Sequence, residues 1–96
     1  MKKANKIIIK GTVQGMFFRS FIKENADALG LRGFVRNLDS GDVEVIVEGE
    51  IENVDQMHEV CKQGPKHAVV KELEITEIPF QDFQEFKILQ DRKSVV

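Results

Sequence analysis

The stretch Gly11-Thr-Val-Gln-Gly-Met-Phe-Phe-Arg19 places two glycines, a glutamine and an arginine between an apolar Ile7 to Ile9 run and a segment with helical spacing. A strand-to-helix junction of this composition suits an anion. The first N–H groups of a helix have no partners within it, and the helix dipole favours negative charge there. Gly15 allows the backbone to approach a ligand closely or to adopt positive φ. Arg19 falls on the predicted first turn, where a cation opposes the dipole unless something negative sits beside it. That conflict between residue and position singles out Gln14, Gly15, Met16, Phe17, Phe18 and Arg19 as a candidate anion site.

The elements that must hold these residues follow from periodicity. Lys6 to Val13 reads as a strand, with Gly11 marking a bulge or a close backbone approach. Phe18, Ile22, Ala26 and Leu29 recur at helical spacing, which predicts a helix over Ser20 to Leu29 closed by Gly30. Leu31 to Asn37 and Val43 to Gly49 form a hairpin around Asp39-Ser40-Gly41. Val54, Met57, His58 and Cys61 define a second helix over Glu52 to Gln63, stopped by Gly64-Pro65. Val69 to Ile78 is a further strand, Phe83 to Leu89 a short extra one, and Gln90 to Val96 a fraying tail. The order strand, helix, strand, strand, helix, strand predicts an α+β fold: an antiparallel sheet covered on one face by two helices.

In that topology the first two strands run in the same direction, being joined through a helix. Their C-terminal ends then lie on one edge of the sheet, which brings Asn37 to the same edge as Gln14 to Arg19. With at most one strand between them the separation is on the order of 5 to 10 Å, a span that a side chain and a water can bridge. A loop glycine, a lone arginine or an asparagine before a turn is ordinarily unremarkable. Their placement on one edge is what turns them into a site.

Composition bounds the ligand. The chain of 96 residues is expected to be a single domain with one modest core. Its net charge of −2 provides no broad field for a polynucleotide, so any anion site is local and small. A single cysteine fits a reducing compartment, and no apolar stretch approaches a membrane span or a signal peptide, so a cytoplasmic location is expected. His58 and His67 lack partners at metal-ligand spacing and are taken as structural, and Cys61 as a small core residue. Glu44, Glu48, Glu50 and Glu52 are taken as a solvated face, and Phe80, Phe83 and Phe86 as packing residues.

With these residues in view, Gly11 to Arg19 resembles the acylphosphatase signature Gly-x-Val-Gln-Gly-Val-x-Phe-Arg. Gly33-Phe-Val-Arg-Asn37, followed by Gly41-Asp-Val43 and Gly49, resembles the second signature of that family. Gly64-Pro65, Ala68-Val69 and Phe86-Lys-Ile88 are similar to its later landmarks, so the resemblance runs over about residues 6 to 89. It implies a ferredoxin-like α/β sandwich that hydrolyses the carboxyl-phosphate bond of acyl phosphates without metal or cofactor. By the same resemblance Arg19 is the phosphate-binding arginine, Asn37 orients the attacking water, and the backbone N–H groups of Gln14 to Phe18 cradle the phosphate. Met16 stands where the family has valine, and Leu38 where some members have a hydroxyl.

The expected partner is a small acyl phosphate bound by a monomer, with no nucleic acid and no membrane. The alternative is a noncatalytic anion- or partner-binding module of the same fold. A single-stranded RNA binder with this element order would need exposed aromatic and basic residues on its middle strands, where this chain has Glu44, Ile46 and Glu48.

Overall fold

The computed structural model describes residues 1–15 and 17–90. Met16 and residues 91–96 lie outside the described residues, and with them the expected Met16 contribution to the cradle and nearly all of the expected fraying tail. The elements are β1 (Lys2–Thr12), α1 (Phe18–Ala28), β2 (Arg32–Asn37), β3 (Val43–Glu50), α2 (Ile51–Gln63), β4 (Val69–Ile78) and β5 (Phe86–Ile88). They form the expected ferredoxin-like sandwich, with a five-stranded sheet in the order β4-β1-β3-β2-β5.

Alternation along the strands decides which face each side chain takes. Ile7 and Ile9 of β1 pair with Val45 and Val43 of β3, and all four are fully buried. They meet Phe18, Ile22 and Ala26 of α1 and Val54, Met57 and Cys61 of α2 in one hydrophobic cluster. Removing these side chains from water, at roughly 25 cal/mol per Å² of apolar surface, is the main force holding the helices to the sheet.

Gly11 allows β1 and β4 to come together at the site end. The pairing slips between Lys10 and Gly11, and a Cβ at Gly11 would lie 2.1 Å from the carbonyl oxygen of Val69. Its φ of 139° is also one that side chains avoid.

Two expectations are corrected. The sheet is mixed rather than antiparallel, because β5 pairs with β2 in parallel after residues 79–85 return the chain from the β4 edge to the β2 edge. Glu44 and Glu48 are not solvated: they are only 9% and 2% exposed, unlike Glu50 and Glu52. The 79–85 connection explains Glu48. The side-chain oxygens of Glu48 accept the backbone N–H groups of Gln81 at 2.7 Å and Phe83 at 2.5 Å, and Phe83 packs edge-on against Phe34 of β2. Glu44 lies over the same face and accepts from Arg36 Nε at 2.6 Å.

Candidate active site

β1 and β2 are parallel, since each is antiparallel to β3 between them. Their C-terminal ends therefore share one edge, where the loop after β1 meets the turn after β2. A side chain joins the two. Gln14 donates through Nε2 to the carbonyls of Leu38 at 2.6 Å and Asp42 at 2.9 Å, reaching across the start of β3. The turn is itself closed by Leu38 N–H to the Asp42 carbonyl at 2.9 Å and Gly41 N–H to the Leu38 carbonyl at 3.1 Å. Asn37 immediately precedes it.

Asn37 is the last residue of β2, and its Oδ1 is buried with no hydrogen-bond donor among the described residues. A buried amide oxygen without a donor is costly, on the order of 1–3 kcal/mol, and such atoms are retained where they serve a purpose.

The loop turns sharply before α1. Gly15 adopts φ 77° and faces open space, the Phe18 N–H donates to its carbonyl at 3.0 Å, and Phe17 is left-handed at φ 59°. No side chain caps α1, and its first turn contains no acid. Phe18 drops into the core while Phe17 stands in solvent.

Arg19 lies on the first turn as expected, half-buried. Its Nη1 donates to the carbonyl of Leu89 at 2.8 Å, and the Leu89 N–H donates to the carbonyl of Val35 at 2.9 Å. One turn further along α1, Lys23 donates to the carbonyl of Phe86 and to Asp27, each at 3.0 Å. The short β5 strand is thus tied to α1 from both of its ends, and Arg19 is linked through β5 to the strand that carries Asn37.

The structure brings Gln14, Gly15, Phe17, Phe18, Arg19 and Asn37 to one edge. Two features were not read from the sequence: the Gln14 side chain as a clamp, and the Leu89 carbonyl as the anchor for Arg19. Both join residues far apart in the chain, and nothing local signals them. Of the remaining candidates, His67 is exposed and lies just before β4, whose first residue Val69 pairs with Thr12 at this same end of the sheet. Cys61 is fully buried, and burial pushes its thiol up to about 12, which keeps it protonated and inert. His58 donates through Nε2 to the buried Asn5 Oδ1 at 2.9 Å, because Asn5 uses its Nδ2 for the Ala4 carbonyl. Among the described residues no three His, Cys, Asp or Glu side chains converge, and no helix is long and apolar enough to cross a membrane.

The acylphosphatase family model matches residues 5–88, which cover every strand and helix just described except the first three residues of β1. The chain belongs to the acylphosphatase family. It is 38% identical to an acylphosphatase of Syntrophus aciditrophicus over 98% of this chain and 99% of that protein. An acylphosphatase of Caldivirga maquilingensis is 44% identical over 84% of each chain. Among solved structures, the acylphosphatase of Bacillus subtilis superposes with a TM-score of 0.89 at 33% identity, covering 94% of this chain and all of that one.

Proposed function

We propose that the chain hydrolyses acyl phosphates to a carboxylate and inorganic phosphate. Arg19 and the backbone N–H groups of Gln14, Gly15, Met16 and Phe17 hold the phosphoryl oxygens, Phe18 closes the loop through its own N–H to the Gly15 carbonyl, and Asn37 orients the attacking water. Residues 6–89 form the functional unit, acting as a monomer.

The chemistry asks for little else. An acyl phosphate already has a good carboxylate leaving group, so its transition state is loose and charge is spread over three phosphoryl oxygens. The bond between phosphorus and the bridging oxygen breaks, that oxygen leaves with the electron pair as carboxylate, and water forms the new bond to phosphorus. What the protein must supply is donors aimed at those oxygens and a water held in line. Each such donor is commonly worth about 3 to 4 kcal/mol when removed, and a guanidinium supplies two in fixed geometry.

The observation that carries the reading is the buried Asn37 Oδ1. An acceptor that no described protein group engages can take one water proton and so direct a water lone pair across the edge, toward a phosphoryl group at the start of α1. The test is hydrolysis of benzoyl phosphate by the purified protein with a chelator present. Activity well above that of an Asn37→Ala control supports the hydrolase; activity equal to that control supports a noncatalytic anion-binding module instead.

A further inference from the structure

Phe17 is 85% exposed, although it is a large apolar residue beside the cradle loop. It also adopts φ 59°, ψ 26°, a left-handed conformation that a bulky side chain takes only at a cost. No packing offsets that cost: the ring belongs neither to the hydrophobic cluster nor to any aromatic pair among the described residues. The left-handed turn separates two consecutive phenylalanines, sending Phe18 into the core, where it meets Phe21 edge-on at 6.2 Å, and leaving Phe17 above the loop.

Resting on the acyl phosphate reading above, we propose that Phe17 is a specificity-determining residue whose ring receives the apolar or aromatic part of the acyl group. The cradle and Arg19 address only the phosphoryl end, which every acyl phosphate shares. Discrimination among acyl groups must come from something beside the cradle, and among the described residues of the Gln14 to Arg19 loop Phe17 is the exposed large apolar side chain. Reach is adequate. With bonds of about 1.5 Å, the acyl substituent begins three bonds from phosphorus and the ring two bonds from its own Cα. A phosphoryl group held by this loop therefore has a substituent long enough to reach the ring when its leaving oxygen points to that side. Offset stacking or edge-to-face contact with an aromatic acyl group adds affinity that acetyl cannot gain.

The experiment compares kcat/KM for benzoyl phosphate and acetyl phosphate in the wild type, Phe17→Gly and Phe17→Tyr. The ratio of the two isolates the acyl group, since any loss in folding or in phosphoryl binding cancels. The benzoyl-over-acetyl ratio is expected to fall about three- to tenfold in Phe17→Gly and to stay within twofold of the wild type in Phe17→Tyr. A ratio within twofold of the wild type in Phe17→Gly, or one that Phe17→Tyr fails to keep, overturns the role of the ring. A wild type inert toward both compounds overturns the hydrolase reading and this proposal with it, so the two failures are told apart.

Discussion

The Arg19 guanidinium donates through Nη1 to the backbone carbonyl of Leu89 at 2.8 Å. This contact helps fix the orientation of the planar group without any ligand. A lysine there would keep the charge and lose the fork. Arg19→Lys is expected to lower kcat/KM for benzoyl phosphate by about 100-fold or more. Steady-state kinetics checks this, and a loss under threefold would show that a point charge suffices.

Gln14 spans the β1 loop and the β2–β3 turn by donating to two carbonyls, those of Leu38 and Asp42. Gln14→Glu replaces the donor with an acceptor facing both. The variant is expected to lose about 2 to 3 kcal/mol of stability, since two carbonyls lose their donor and meet a carboxylate. Urea unfolding measures the difference. Gln14→Leu, which removes the donor without adding a carboxylate, should lose less.

Glu48 lies at the opposite end of the sheet, where its side-chain oxygens hold the N–H groups of Gln81 and Phe83. Glu48→Ala leaves both donors without their acceptor and a void under residues 79–85. We expect about 2 to 4 kcal/mol of destabilisation by chemical denaturation. Turnover by the folded fraction should stay within twofold of the wild type, because the residue is remote from the cradle.

His58 titrates below its ordinary value, mainly because burial disfavours its charged form and secondarily because Lys3 lies near; Asp55 and Glu59 oppose the shift. The unfolded chain therefore takes up a proton near pH 6.5 that the folded chain resists. The His58 contribution to stability is unaffected above that pH, falls as pH drops through it, and levels off below the folded value. Stability measured from pH 7.5 to 5.5 should decline in the wild type, with a shallower decline in His58→Gln.

Much of this architecture was legible in the chain. The spacing of Phe18, Ile22 and Ala26 and the alternation of Val43, Val45 and Val47 report burial directly, because each pattern has a period that only one element satisfies. The shared edge followed from connectivity alone, since a helical crossover makes β1 and β2 parallel. Glu48 escaped because alternation assigns it a face and cannot say that the 79–85 connection covers that face. The parallel pairing of β5 escaped for the same reason: three residues have no period to read, and their place depends on Arg19 and Lys23 reaching from α1. The local conflict at Arg19 was visible, whereas the Leu89 carbonyl it donates to is 70 residues away.

In the proposed mechanism Arg19 holds the phosphoryl group and Asn37 places the water. This mechanism is tested most directly by measuring kcat and competitive inhibition by inorganic phosphate in Asn37→Ala. kcat is expected to fall by about 100-fold or more, with the phosphate inhibition constant within threefold of the wild type. A kcat close to the wild type, or a phosphate affinity lost in proportion to turnover, would contradict that mechanism.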